Sequence, residues 1–150
     1  MVWTPRVTVA AVIEQEDRFL MVEERDKRQP LTVFNQPAGH LEPGESIIGA
    51  VVRETREETG LDFCPSAIIG IYRWIEPNSG DTYLRVCFTG EVSQPKEERT
   101  LDPDIIATTW LEPGELHQLN DRLRSPLVIR CVSDYLEGIR YPLELFVEQS

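Results

Sequence analysis

A chain of 150 residues with a net charge of −11 is long enough for one domain with its own core and short for two. The acidic balance excludes a long nucleic-acid partner, which needs a basic footprint, and leaves small phosphorylated substrates open, because a bound cation reverses the local field. Hydrophobic residues make up 41% and charged residues 27%, an ordinary globular profile without a membrane-length apolar run or a leader pattern, so the chain reads as cytoplasmic, with no membrane partner.

In chain order, Arg6–Ile13 is rich in valine and alanine, and Arg18–Glu24 carries Phe19, Leu20, Met21 and Val22. Both read as strands, joined by a polar turn around Glu16 and Asp17. Asp26–Leu31 is polar, holds Pro30 and reads as a loop. Thr32–Gln36 is a short strand that feeds a glycine-rich loop, Pro37–Gly44. Ser46 is a candidate N-cap, and Gly60 stands where a left-handed residue ends a helix. Residues 47–59 lie between them without a proline, which predicts a helix. At about 100° per residue, Ile47, Ile48, Val51, Val52, Thr55 and Thr59 share an arc of about 140°, wide enough to bury. Glu54, Glu57 and Glu58 occupy an adjoining arc of about 100°, shared by the small Ala50.

Beyond the helix, Ala67–Ile75 alternates as a strand, with Ile69, Ile71, Arg73 and Ile75 on one face and Tyr72 and Trp74 on the other. Pro77–Asp81 is a turn by composition, and Thr82–Val92 returns as the second arm of a hairpin. Ser93–Asp104 is polar and reads as a mobile loop; Ile105–Leu111 is a last strand. Glu112–Leu119 is a short helix and Ser125–Leu136 a longer one, with Pro126 in its first turn and Gly138 just past its end. Interleaved strands and helices predict an α/β fold with a mixed sheet in one domain, residues 1–150. The three cysteines, Cys64, Cys87 and Cys131, form no CxxC pair and read as free, buried thiols with no zinc site between them.

Three glutamates at i, i+3 and i+4 repel one another and crowd the end of a helix where the macrodipole disfavours negative charge. A solvated acidic face accounts for such a cluster. So does a site for a hard divalent cation, which wants oxygen ligands and leaves room for phosphate oxygens. The glycine-rich loop ahead of the helix favours the second reading, because it can bring backbone groups close to the cluster.

Gly39, Glu45, Arg53, Glu54, Glu57, Glu58, Gly60 and Leu61 stand at the spacing Gly-x5-Glu-x7-Arg-Glu-U-x-Glu-Glu-x-Gly-U, where U is a bulky apolar residue. The stretch resembles the Nudix box; the departure is Thr55 at the first U, whose methyl can still pack. Val7–Ala10, Asn35–Glu42, Leu123–Val128 and Arg140–Glu144 extend the similarity to a bacterial subgroup of that family, the phosphatases of the NudJ type. The resemblance implies an α/β/α sandwich and an enzyme that hydrolyses phosphoanhydride bonds. The subgroup implies release of the terminal phosphate from nucleoside tri- and diphosphates and action on thiamine-pathway diphosphates. It also implies Mg²⁺, with Mn²⁺ as a substitute, held by Glu54, Glu57 and Glu58 and the Ala38 carbonyl. Glu54 either joins the metal or acts as the base on water; Arg53 either orients a glutamate or pairs with Glu45.

Glu97 and Glu98, in the polar loop, are further candidates for the base, though two solvated loop charges is the reading that glutamate's rarity in buried positions favours. For the organic part of the substrate, Phe34, Tyr72, Trp74 and Tyr83 are candidates for stacking, with Arg85 as a charged contact. His40 is expected to be a loop residue and no ligand, because the other histidine, His117, lies in a distant element. The partner expected is a small phosphorylated molecule, with the chain a monomer or homodimer. Two other functions fit: pyrophosphohydrolysis between the α and β phosphates, and a non-catalytic ligand-binding module. The complete carboxylate set weighs against the latter.

Overall fold

Val9, Ala10, Ala11 and Val12 are all buried, which a strand permits only when both of its faces are covered. They lie in β1 (Arg6–Val12) of the computed structural model, which describes residues 2–149. Alternate residues of β1 and its continuation go to opposite cores. Val9, Ala11 and Ile13 join Leu20, Ala50, Val51, Phe63, Ile68, Val86 and Phe88. Ala10 and Val12 join Phe19, Met21, Ile69, Cys87, Leu116, Val128, Cys131 and Val132. The first core is roofed by α1 (Ile47–Thr59), the second by α2 (Pro113–Gln118) and α3 (Leu127–Leu136). Helices therefore cover both sides of the strands, the expected α/β layering. Each fully buried Val, Ile or Phe contributes roughly 1.5–3 kcal/mol relative to exposure.

The strands form two four-stranded sheets rather than one. The first is mixed, in the order β5 (Ala38–His40), β1, β7 (Thr82–Ser93), β6 (Asp62–Ile75), with β1 parallel to β7 and the other pairs antiparallel. The second is antiparallel and centred on β3 (Arg18–Arg25), with β8 (Ile105–Leu111) on one side and β2 (Glu14–Gln15) and β4 (Thr32–Asn35) on the other. The turn between β2 and β3 places Glu16 and Asp17 at φ of 51° and 62°, the left-handed region that Asp tolerates.

Five expectations need correction. β6 starts at Asp62, five residues before the predicted strand; Pro65 is accommodated because the pairing shifts register between Pro65 and Ala67. A second shift between Ile68 and Gly70 breaks the alternation, so Ile69 is buried beneath α3 while Ile71, Arg73 and Ile75 face solvent. Cys64 is exposed; only Cys87 and Cys131 are buried. The glycine-rich loop also contains a short strand, β5, and the predicted strand after Thr32 stops at Asn35.

Candidate active site

α1 begins where the Ser46 side chain accepts from the Gly49 amide at 2.9 Å and ends at Gly60, with φ 76° and its amide donating to the Arg56 carbonyl at 2.8 Å. Thr55 is fully buried, and its hydroxyl donates to the Val51 carbonyl at 2.8 Å, so a polar residue at this apolar position is satisfied within the helix. Ala50, on the acidic arc, is also fully buried: this edge of the helix faces β5, not water. Gly39 lies directly against it. A Cβ there would come within 2.1 Å of Glu54 Cδ, so only glycine lets strand and carboxylate approach.

The Ala38 amide donates to Glu58 Oε1 at 2.8 Å, and Glu58 is 6% exposed. Burial pushes its carboxyl up to about 9, with the Glu24, Glu54 and Asp102 carboxylates adding to the rise and the Ala38 amide opposing it. Glu54 is pushed up to about 7, again chiefly by burial, with the Arg53 guanidinium working against it. Arg53 is the hub. Its Nε and Nη2 donate to Glu45 at 2.5 and 3.0 Å, its Nη1 to Glu54 and Glu57 at 2.8 and 3.1 Å, and Nη2 also to the His40 carbonyl at 3.0 Å. One side chain thus contacts both Glu45 and two of the clustered glutamates. The Arg53 guanidinium holds the Glu45 carboxyl below the usual range, and its carboxylates raise its own affinity for the proton.

Glu54, Glu58, Ala38 and Gly39 line a cleft of about 720 Å³. Its floor is a row set by strand register: Thr8 stands opposite His40 on one side and Arg85 on the other. One step along, Tyr83 pairs with Trp74, ring centroids 5.9 Å apart. Trp74, Tyr83 and Arg85 line the cleft, as does His40 at the end of β5.

Phe34 and Tyr72 do not line it. Phe34 is buried with the Arg122 guanidinium over its ring at 5.0 Å, and Tyr72 donates its hydroxyl to Asp134 at 2.7 Å on the α3 side. Glu97 and Glu98 border a separate depression with Gly60 and Leu101. Composition and spacing did not single out Glu24, Asn35, Gln36 or Arg124. Asn35, Glu24 and Arg124 face the cleft, and Gln36 lies behind it. Glu24 is held by both arms of Arg124, at 3.0 and 2.7 Å.

Among the described residues, no three carboxylate, imidazole or thiol side chains already converge on a common point. Glu54 and Glu57 are both turned to Arg53. The donor chemistry nonetheless fits a hard divalent cation. Glu58 is a buried oxygen donor with other carboxylates around it, Glu54 is beside it, and Glu57 is half exposed and needs only to leave Arg53.

Residues 4–130 match the model of the NUDIX domain. The chain is 41% identical over 141 residues to the Phosphatase NudJ of Escherichia coli (strain K12), across 94% of this chain and 90% of that one. The Phosphatase NudJ of Shigella flexneri matches to the same extent. Among solved structures, a NUDIX hydrolase from Nitrosomonas europaea superimposes with a TM-score of 0.93 at 47% identity, over 97% of this chain and 98% of that one. A bifunctional NMN adenylyltransferase/ADP ribose pyrophosphatase from Francisella tularensis, complexed with AMP and Mn ion, is similar in fold alone, with a TM-score of 0.72 at 20% identity over 91% of this chain and 42% of that one.

Proposed function

The chain belongs to the Nudix hydrolase family, and from that premise we propose that it removes the terminal phosphate from nucleoside tri- and diphosphates and from thiamine-pathway diphosphates such as hydroxymethylpyrimidine diphosphate and thiamine diphosphate. One observation carries this reading: carboxylates Glu54 and Glu58 and the ring pair Trp74 and Tyr83 line a single cleft. A phosphorylated group and a flat heteroaromatic ring are what those two sets of residues would hold. The phosphatase name of relatives 41% identical supports phosphate, rather than pyrophosphate, as the product.

Glu54, Glu57 and Glu58, with the Ala38 carbonyl, would hold Mg²⁺ or Mn²⁺. When bound, such an ion supplies polarisation of the phosphoryl oxygens and acidifies water. The protein's own contribution is to place the groups. The Ala38 amide orients Glu58 through one carboxylate oxygen and leaves the other for a ligand. Arg53 holds Glu54 toward the cleft and keeps Glu57 within reach. Glu54 would either join that ion or take a proton from the attacking water. Trp74 and Tyr83 orient the ring.

The test is hydrolysis of a nucleoside triphosphate and of hydroxymethylpyrimidine diphosphate with Mg²⁺, reading phosphate and pyrophosphate separately. Phosphate alone is the expected product. Pyrophosphate from the triphosphate would move the cut to the α–β anhydride. No hydrolysis of any phosphoanhydride, with ligand still bound, would leave a binding module.

A further inference from the structure

Arg85 is 5% exposed, and what holds it is neutral. Its Nη1 donates to Gln36 Oε1 at 2.8 Å and its Nη2 to Asn35 Oδ1 at 2.7 Å. No Asp or Glu of the described residues makes an ion pair with it, although this chain has 26 acidic residues and most of its other arginines find one. A guanidinium removed from water without a counter-ion costs several kcal/mol in effective terms. Such an arrangement persists where something else completes it.

The groups around Arg85 say what that is. Gln36 donates its own amide nitrogen to the Val128 carbonyl at 2.7 Å, which fixes its oxygen toward Arg85. Gln36 is thereby a strut between α3 and β7, and it aims the guanidinium. Asn35 turns its oxygen to Arg85 as well, so its two amide hydrogens point away from Arg85. The guanidinium has five N–H groups, of which these two bonds use two. Its Nε makes no hydrogen bond with the described residues, and since no buried side-chain nitrogen or oxygen among them lacks a partner, Nε retains access to open space. Arg85 and Asn35 both line the cleft. Together they present N–H donors, with no carboxylate pairing the guanidinium. A group that is all acceptors and carries negative charge matches them, and a phosphoryl group is such a group.

We propose that Arg85, aimed by Gln36 and Asn35, is the binding site for a phosphoryl group of the substrate other than the one attacked. This rests on the phosphoanhydride reading above and adds to it a division of labour. Register places Ala38 opposite Ala10, and Ala10 opposite Cys87, two residues beyond Arg85. Two strand spacings and two residues along put the Cα atoms of Ala38 and Arg85 about 12 Å apart on one face. With both residues lining one cleft, a chain of two or three phosphoryl groups touches both ends. The attacked phosphoryl lies at the glutamates and a following one at Arg85. The contact is already made in the bound substrate, so it contributes to substrate binding; the same phosphoryl carries the leaving oxygen, whose charge grows as the anhydride bond breaks, so a smaller part of the contact is felt in the chemical step.

The experiment uses Arg85→Lys, Arg85→Gln and Asn35→Asp in the full chain. Two readouts are taken: kcat and KM for a nucleoside triphosphate, and the rise in Tm caused by inorganic tripolyphosphate with Mg²⁺. Expected is a KM raised roughly 10- to 100-fold in Arg85→Gln, with a much smaller fall in kcat, and a lost tripolyphosphate shift. Arg85→Lys keeps the charge without the fork and falls between. Asn35→Asp supplies the missing counter-ion, so the unliganded Tm holds or rises while tripolyphosphate binding weakens. That pairing also decides the matter if Arg85→Gln does not fold, since a merely structural arginine would gain stability with KM unchanged. Parental KM and parental tripolyphosphate shift in Arg85→Lys and Asn35→Asp would overturn the proposal, as would a parent protein that tripolyphosphate does not stabilise. Pyrophosphate as the product in the parent would overturn the terminal-phosphate reading alone. The Arg85 site would then stand if the tripolyphosphate shift still depended on Arg85.

Discussion

Arg53 grips Glu45 through both arms of its guanidinium, Nε to Oε2 at 2.5 Å and Nη2 to Oε1 at 3.0 Å, and thereby ties the loop ahead of α1 to the middle of that helix. Both side chains are largely buried, so the pair is screened less than a surface bridge. Glu45→Gln removes the charge and should cost about 1.5–3 kcal/mol, read from the urea midpoint. Arg53 holds the Glu45 carboxyl below its ordinary value, so the pair's contribution is present at neutral pH and lost as pH falls through that lowered pKa. The difference between parent and variant should therefore close in acid. Freed from Glu45, Arg53 keeps the His40 carbonyl and, among the described carboxylates, Glu54, Glu57 and the exposed Glu42 beside it, so half-maximal activity should need more Mg²⁺. Unchanged stability and unchanged Mg²⁺ dependence would remove Glu45 from the support of the site.

The metal-free protein should lose stability as pH rises. Glu58 goes from an ordinary carboxyl near 4.5 to about 9 on folding, and Glu54 to about 7. Both are raised, so their contribution is full below about 4.5 and is lost as pH climbs through the folded values. With EDTA present, Tm should decline across that window, and Glu58→Gln should flatten the decline. Mg²⁺ binds the ionised carboxylates of the folded state and should offset the loss most at the alkaline end. A Tm profile in EDTA that is flat from weakly acid to alkaline pH, and indifferent to Mg²⁺, would contradict the placement of a cation at these glutamates.

Glu57→Gln separates the site from the scaffold. Glu57 is half exposed and bound to Arg53 on one side only, so the neutral isostere should leave the fold intact and relieve repulsion with Glu54. Losing one carboxylate from the cation should lower kcat/KM roughly 10²-fold or more. Parental turnover at saturating Mg²⁺ would reassign Glu57 to the surface.

The strongest signals in the sequence were those written by local rules. Ser46 and Gly60 cap α1 as their residue types demand, and the unbroken apolar run of β1 is what a strand with two covered faces looks like. Glu54 and Glu58 were legible because fixed helical spacing puts them on one edge. The misses follow from tertiary context. Pro65 hid the first half of β6 because the bulge that admits proline leaves no local trace. The second shift, between Ile68 and Gly70, decoupled Ile69 from Ile71 and made face parity misleading. Phe34 and Tyr72 had the right chemistry for stacking, but Arg122 and Asp134 claim them. Asn35 and Gln36 meet Arg85 across 50 and 49 residues of chain, a separation over which no periodicity operates.

Substrate selectivity should be broad, because the organic end of the cleft is built from rings. Trp74 and Tyr83 lie side by side at an interplanar angle of 37°, with His40 a further 6.4 Å from Tyr83. Stacking on such rings is worth about 1–3 kcal/mol per base and is nearly blind to ring identity, since every base has a π-face. Discrimination by hydrogen bonds would instead reach roughly 10⁴-fold between analogues that differ by one polar group. Comparing kcat/KM for purine and pyrimidine nucleoside diphosphates and hydroxymethylpyrimidine diphosphate at one Mg²⁺ concentration should therefore give differences well below that. Trp74→Ala should raise KM for all of them together, roughly 5- to 100-fold by the same stacking energy. Tyr72→Phe, which touches Asp134 and not the cleft, should change stability and leave KM alone. One substrate leading the rest by the larger margin, or a Trp74→Ala penalty confined to a single base, would mean that the ring is read through polar contacts and that stacking is secondary.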